Sequence, residues 1–200
     1  MDYSLAIENT PASIPAGTGI LLLHPSTGET DRIDTDFLSV DCDWNFVIST
    51  RTTAREVKQK LEYYDVPLDR AVILDTLSVE RGYSRRSSDN VHYVSAPDDL
   101  DGIIEHTERF LSNHDGKRRI TFDSVTELAY FAGEDEAAEA VATILNLLEE
   151  HQAIGLFHVA GEVHGDDLVA KFKAMFDAVI QLHADGTLTS DFSAVADESN

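Results

Sequence analysis

Residues 23–30 have the residue types and spacing of a phosphate-binding loop that has lost its lysine. Such a loop follows the pattern G-x-x-x-x-G-K-[ST] between a buried strand and a helix, and its backbone N–H groups cradle phosphates. Gly28 and Thr30 keep the second glycine and the hydroxyl residue, whereas Leu23 replaces the first glycine and Glu29 replaces the lysine. The candidate nucleotide-binding residues of this degenerate loop are Ser26, Thr27, Gly28, Glu29 and Thr30.

The charge at position 29 decides what this loop can bind. The lysine of an intact loop lies beside the β- and γ-phosphates, so a glutamate there reverses the sign of the interaction. Two like charges about 4 Å apart repel by about 4 kcal/mol at an effective dielectric constant of about 20. Ordinary ATP binding and hydrolysis are therefore disfavoured.

Asp123 is a candidate partner of this loop, because it ends an apolar run (120–122) and precedes Ser124. A carboxylate at the end of such a strand can hold the magnesium ion that bridges the phosphates, directly or through water. Thr30 and Asp123 are thus a possible Mg²⁺ pair. The simpler interpretation, which we favour, is that Thr30 caps a helix and Asp123 ends a strand in a polar cluster.

Hydrophobic periodicity predicts the elements that position these residues. Strands alternate with helices, which is typical of an α/β fold with a mostly parallel sheet covered by helices on both faces. Asp185-Gly186 predicts a C-terminal hairpin. The predicted strands are 19–23, 44–49, 71–74, 91–94, 120–123, 153–159 and 178–183, and the predicted helices are 30–40, 54–64, 98–113, 134–151 and 166–176. We expect an irregular lead-in at 1–16, one domain at 17–192 and a frayed acidic tail at 193–200.

The composition restricts the classes of partner. The 200 residues carry a net charge of −22, from 37 acidic and 15 basic residues. Acid excess with few lysines is typical of proteins from a high-salt cytosol, although an acidic mesophilic protein remains the alternative. Such a surface repels nucleic acid and anionic membranes. The sole cysteine, Cys42, cannot form an internal disulfide, and no apolar run reaches membrane-spanning length. We expect a cytoplasmic protein.

The order of these segments resembles the RecA superfamily, and within it the KaiC-like branch. The resemblance rests on residues 17–38, 46–49, 123–124, 155–161 and 176–182, and it spans about residues 17 to 190. It implies a RecA-like three-layer sandwich with a C-terminal hairpin. Halophilic archaea hold many divergent KaiC-like proteins, which fits the acidic composition.

The departures from that family bear on activity. Members that hydrolyse ATP usually end the second strand in a glutamate, but here it ends in Ile48-Ser49-Thr50-Arg51, and no basic residue follows Lys173. Three charged groups are therefore missing together: the lysine replaced by Glu29, the glutamate at the end of the second strand, and the basic residue of the C-terminal hairpin. The resemblance therefore implies a regulatory or signalling protein-binding module with no catalytic residue and no cofactor. Its partner would be an active KaiC-like relative or a second copy. The alternative is a weak ATP–Mg²⁺ binder or slow ATPase in which Arg32 or Arg51 replaces the lysine.

Two further groups of residues were considered as sites. Arg81, Arg85 and Arg86 form a basic cluster that could dock an acidic partner or nucleic-acid backbone, although local neutralisation of surface acid is the interpretation we favour. A third function, nucleic-acid-binding regulator, rests on this cluster. His158, Glu162 and His164 could meet after a strand as metal ligands, but their spacing matches no strong zinc signature. We predict no metal site.

Overall fold

The computed structural model describes residues 1–82 and 88–197. Its strands are β1 (Asp2–Ser4), β2 (Ser13–Pro15), β3 (Gly19–His24), β4 (Trp44–Ser49), β5 (Ala71–Asp75), β6 (Val91–Tyr93), β7 (Arg118–Asp123), β8 (Ile154–Ala160), β9 (Ala178–Leu182) and β10 (Leu188–Asp191). Its α-helices are α1 (Asp31–Leu38), α2 (Ala54–Tyr63), α3 (Leu100–Asn113), α4 (Val125–Ala132), α5 (Glu134–His151), α6 (Asp166–Met175) and α7 (Ser193–Asp197). Short 3₁₀ turns lie at Leu68–Arg70 and Gly161–Val163.

Strands β3 to β10 form one sheet in the spatial order β10-β9-β3-β8-β7-β4-β5-β6. All neighbouring strands run parallel except β10, which returns antiparallel to β9 through the predicted hairpin. The parallel strands therefore share one carboxyl edge. The predicted α/β fold with its C-terminal hairpin is confirmed.

Alternation along the central strand β3 creates two cores. Successive side chains of a strand point to opposite faces. Leu21 and Leu23 join the core under α3, α4, α5 and α6, while Ile20 and Leu22 join the core under α1, α2 and the β1–β2 hairpin. Helices thus cover both faces, which gives the predicted three-layer sandwich. None of the helices in the described ranges has the length and apolarity to span a bilayer.

Helix α4 was not predicted, because it is short and is separated from α5 only by Gly133. Gly133 has a φ of 102°, a backbone conformation that glycine adopts readily and other residues rarely adopt. That conformation ends α4 and lets α5 begin in a new direction. The peptide bond between Asp123 and Ser124, just before α4, is cis.

The expectation of an irregular segment at 1–16 was wrong, because β1 and β2 pair there. Tyr3 and Ile14 are fully buried, and the Tyr3 hydroxyl donates to the carbonyl of Gln152 at 2.9 Å. Arg119 of β7 is also fully buried; it donates to the Ser4 carbonyl at 2.6 Å, and its guanidinium lies 5.4 Å from the centre of the Tyr3 ring. The hairpin is therefore part of the core. In the tail that was expected to fray, residues 193–197 form α7.

Candidate functional site

A cavity of about 610 Å³ lies over the shared carboxyl edge of the sheet. Residues that follow five parallel strands line it, among them His24, Arg51, Leu77, Ser124 and Ala160. Ligands of open α/β sheets bind outside the carboxyl ends of the strands, because loops from several strands converge there. This cavity is therefore the candidate site.

The degenerate loop forms one wall, and a carboxylate of the same chain already occupies its donors. The backbone N–H of Gly28 donates to the carbonyl of Pro25 at 2.7 Å, which closes a turn. Both the hydroxyl and the backbone N–H of Ser26 donate to Oε1 of Glu162, at 2.6 and 2.8 Å. These two hydrogen bonds lower the pKa of Glu162. Glu29 is exposed, so the loop carries two carboxylates where an intact loop binds phosphate.

Asp123 is bound by Arg51 rather than left open for a metal. Arg51 follows β4, and its Nε lies 2.7 Å from Oδ1 of Asp123 while its Nη2 donates to Oδ2 at 3.0 Å. Burial alone would lower the pKa of Arg51, but the adjacent carboxylate raises it above its ordinary value. The two-pronged contact gives the carboxylate a cation from within the chain.

A buried row of alternating charges continues from this ion pair into the molecule. His158 of β8 is fully buried; its Nε2 donates to Oδ1 of Asp34 at 2.7 Å, and its Nδ1 lies 3.9 Å from Oδ1 of Asp123. Lys60 of α2 donates to the other oxygen of Asp34 at 2.5 Å. The row therefore reads Lys60, Asp34, His158, Asp123, Arg51.

Burial and neighbouring charge oppose one another within this row. Burial lowers the pKa of His158, but the carboxylates of Asp34 and Asp123 outweigh it and raise the pKa above its ordinary value. Burial raises the pKa of Asp34, but His158 and Lys60 outweigh it and lower the pKa well below its usual range. The row thus favours the charged forms of Asp34 and His158 in the interior.

Two further carboxylates at this edge are also bound by donors of the chain. Asp75, at the end of β5, accepts from the backbone N–H groups of Ala54, Leu77 and Ser78 at 2.7 to 2.9 Å. The hydroxyl of Ser124 donates to Glu127. These carboxylates serve as structural acceptors, and none of them is positioned as a free general base.

His24 lies between the cavity and the buried row. Its Nδ1 lies 2.9 Å from the carbonyl oxygen of Pro25, so the proton of the neutral ring is on Nδ1. Burial lowers the pKa of His24, which favours that neutral form. The ring meets that of His158 edge to face at 5.4 Å.

An exposed apolar border, which we call the aromatic rim, consists of Tyr130, Phe131 and Val163. The rings of Tyr130 and Phe131 meet edge to face at 5.2 Å, and the three side chains are 83%, 38% and 59% exposed. The acidic first turn of α5 (134–136) directly follows the pair in sequence. No local pattern predicts the rim, because aromatic residues on a helix are usually part of the core.

The structure brings some predicted site residues together and separates others. Ser26 and Arg81 line the cavity, and Asp123 lies behind it in its pair with Arg51. Thr30 is buried before α1, but its side chain makes no capping hydrogen bond. Arg32 is exposed and faces Asp36. Arg85 and Arg86 lie outside the described residues.

The three residues considered as metal ligands do not converge. His158 lies inside the sheet, Glu162 binds Ser26, and His164 lies 3.1 Å from the hydroxyl of Thr126. Across residues 1–82 and 88–197, no group of three or more metal-ligating side chains was found. The buried Asp34–His158 pair was missed, because its members lie 124 positions apart.

Comparison with known proteins gives a family and a fold. The model of a family of unknown function (DUF7090) matches residues 1–192. No functionally curated protein matches the sequence.

Several solved structures share the fold. A KaiC-like protein of Pyrococcus horikoshii OT3 is 12% identical with a TM-score of 0.61, and the match covers 90% of this chain and 80% of that one. A type III secretion ATPase of pathogenic bacteria is also 12% identical with a TM-score of 0.61, over 92% of this chain and 58% of that one. An uncharacterised P. horikoshii protein solved with an unknown peptide is 14% identical with a TM-score of 0.64, over 88% and 82%. These matches confirm a RecA-like, KaiC-like fold. At identities of 12% to 14%, they are evidence for the fold and for nothing beyond it.

Proposed function

The chain belongs to the family of unknown function DUF7090, and we propose that it is a RecA-type domain without ATPase activity that regulates or signals by binding a protein partner. The observation that carries the proposal is the Arg51–Asp123 pair, with N–O distances of 2.7 and 3.0 Å. A guanidinium so placed supplies the positive charge that a magnesium ion would bring to Asp123. A metal would have to displace it first.

The loop supports the same conclusion. Glu162 takes the two Ser26 donors, and the exposed Glu29, three positions further along the loop, adds a second negative charge to this segment. An incoming phosphate would meet repulsion from both carboxylates, and it would have to displace Glu162 from hydrogen bonds that already stabilise it. Ground-state binding of a nucleoside triphosphate is therefore unfavourable at this loop.

Hydrolysis lacks a base as well as a metal. The end of β4 offers Ser49, Thr50 and Arg51, and the nearby Asp75 is held by three backbone N–H groups. Activation of a water molecule requires a positioned acceptor with a free lone pair. At the ends of β4 and β7, Arg51 and Asp123 neutralise each other, and neither is positioned to activate water.

The aromatic rim supports partner binding. Large apolar side chains that cluster in the open around a cavity are typical of interaction sites. One of the structurally similar proteins was solved with an unknown peptide, which gives a precedent for peptide binding on this fold. A cytoplasmic location is part of the proposal.

Nucleotide binding and turnover test the first half of the proposal. Labelled ATP with Mg²⁺ should show neither micromolar affinity nor hydrolysis, at about 0.1 M or about 1 M KCl. Micromolar affinity that disappears in Asp123→Ala would overturn the proposal in favour of a nucleotide-binding protein.

Partner capture tests the second half. Tyr130 and Tyr63 are 83% and 80% exposed, and Tyr63 lies on α2, away from the cavity, so Tyr63→Ser is a matched control for Tyr130→Ser. Affinity purification from the native host should recover one protein with the wild type and with Tyr63→Ser, and not with Tyr130→Ser. Equal recovery by both variants would refute a partner site at the rim.

A further inference from the structure

We infer that the aromatic rim and the cavity beneath it bind a basic peptide segment that carries one large apolar side chain. This inference rests on the proposed function, because it names the chemistry of the partner. It joins three observations: the clustering of exposed apolar side chains, the shape of the cavity, and the distribution of charge around it.

Exposed apolar side chains are concentrated at this one place. In residues 1–82 and 88–197, the exposed large hydrophobic residues are Met1, Tyr63, Tyr130, Phe131 and Val163. The last three border the same cavity, although they come from α4 and from the 3₁₀ turn after β8. In so acidic a chain, an apolar border built from two separate elements is a contact surface for another molecule.

The cavity behind the rim suits an apolar anchor. Leu77, Ala129 and Ala160 line its interior and are each more than nine-tenths buried. Interfaces of this kind gain most of their energy from one or two large side chains that enter such a pocket. A volume of about 610 Å³ accommodates an aromatic or long aliphatic side chain together with adjoining backbone.

The charge around the cavity indicates which residues of the peptide lie beside its apolar side chain, which we call the anchor. Glu127 and Glu134 line the cavity, and the exposed Glu162 binds the lining residue Ser26. Among residues 1–82 and 88–197, two arginines line the cavity; Arg51 is neutralised by Asp123, which leaves Arg81. The carboxylates therefore predominate, and lysine or arginine residues beside the anchor complement them.

The charge of the whole chain excludes the competing occupants. A second copy would bring another net charge of −22 and the same acidic surroundings to the contact. Nucleic acid and anionic peptides meet the same repulsion. A basic segment that contacts these carboxylates is attracted to them, so it is the occupant that the charges favour.

A peptide selection tests the inference directly. Random peptides displayed on phage are selected on the wild-type protein and counter-selected on Tyr130→Ser, at about 0.1 M KCl, where charges act over about 10 Å. The enriched peptides should be basic and should share a Phe, Trp, Leu or Met. Enrichment of acidic or neutral peptides, or no enrichment against Tyr130→Ser, would overturn the inference.

The affinity of the best selected peptide then separates the apolar contribution to binding from the electrostatic one. Tyr130→Ser should weaken it about tenfold or more, and Glu134→Lys should weaken it several-fold, with that second effect shrinking in about 1 M KCl. Tyr63→Ser should leave it unchanged. Circular dichroism and thermal unfolding establish that each variant is folded, and an unchanged affinity in folded Tyr130→Ser would refute the site.

The proposed function can survive failure of this inference. If a host partner requires Tyr130 for binding but presents an acidic or neutral surface, the protein-binding role is supported. The inference that the site binds a basic segment is then refuted. Nucleotide turnover by the wild type would refute the proposed function itself.

Discussion

Separating Arg51 from Asp123 tests the electrostatic interpretation of the site most directly. The two side chains are 31% and 16% exposed, and their contact joins the end of β4 to the end of β7 across 72 residues of sequence. Arg51→Ala removes the cation but leaves Asp123 in place, with His158 3.9 Å away. We expect the variant to fold with lower stability.

The magnitude follows from how deeply the pair is buried. Removing one member of a fully buried ion pair costs about 3–5 kcal/mol, whereas exposed pairs contribute about 0.2–1 kcal/mol. This pair lies between those limits, and His158 partly compensates the abandoned carboxylate. We therefore expect the free energy of unfolding to fall by about 2 kcal/mol, which corresponds to a Tm lower by about 4–8 °C in a domain of this size.

A double-mutant cycle isolates the contact. Urea unfolding of Arg51→Ala, Asp123→Asn and the double variant should give a coupling free energy of about 1–2 kcal/mol. The reason is that Asp123→Asn removes the carboxylate charge that Arg51→Ala leaves without a cation. Arg109→Ala is the matched control, since Arg109 pairs with Glu105 on the exposed face of α3. That substitution should change the stability by less than about 0.5 kcal/mol.

A coupling free energy below about 0.5 kcal/mol would refute the reasoning. Asp123 would then be available to a metal, and the observation that carries the proposed function would be lost. Tighter Mg²⁺ binding by Arg51→Ala than by the wild type would instead support it, because the carboxylate would have been released.

Three further outcomes are expected. Glu29→Lys alone should not produce ATP hydrolysis, because no free carboxylate stands at the end of β4; measurable phosphate release would show that a base has been overlooked. The folded state holds the His158 proton more tightly than the unfolded state, so its contribution is complete below pH 6.5 and is lost as the pH rises through the raised pKa. Urea unfolding at rising pH should show this loss in the wild type, and an equal loss in His158→Gln would contradict the assignment. Raising KCl from about 0.1 M to about 1 M should raise the Tm, because screening shortens from about 10 Å to about 3 Å and relieves the repulsion within a chain of charge −22. A lower Tm in high salt would argue against adaptation to a high-salt cytosol.

The fold was largely predictable because its strongest signals are local. Strand β4 was predicted with the bounds that it has, Trp44–Ser49, since four of its six residues are large and apolar and polar residues flank it on both sides. Helix α5 was likewise predicted at Glu134–His151, where one apolar face extends over 18 residues. The β1–β2 hairpin was missed because its strands have three residues each, too few to show a period.

The candidate site was predicted in part because its defining contacts are long-range. Asp123 was expected to end a strand in a polar cluster, with a magnesium ligand as the alternative, and Arg51 was named only as a substitute lysine. Nothing in the local sequence shows that they pair with each other. His158 fell inside the predicted strand 153–159 but was grouped with the residues that follow it; it lies within β8, where Asp34 of another element supplies its hydrogen-bond partner. Asp34 drew no attention, because an aspartate in the first turn of a helix is ordinary.

The burial of Tyr3 and Arg119 has a consequence for how the chain reaches its final state. The hairpin leaves the ribosome before its partners do, because the Tyr3 hydroxyl accepts from the backbone N–H of Arg118 and donates to the carbonyl of Gln152, 115 and 149 positions later. Contacts over such separations form slowly, because a long loop must close before they contribute. The residues of the hairpin must therefore wait, with their apolar side chains uncovered, until β7 and the end of α5 have emerged. During that interval the nascent chain is most exposed to aggregation.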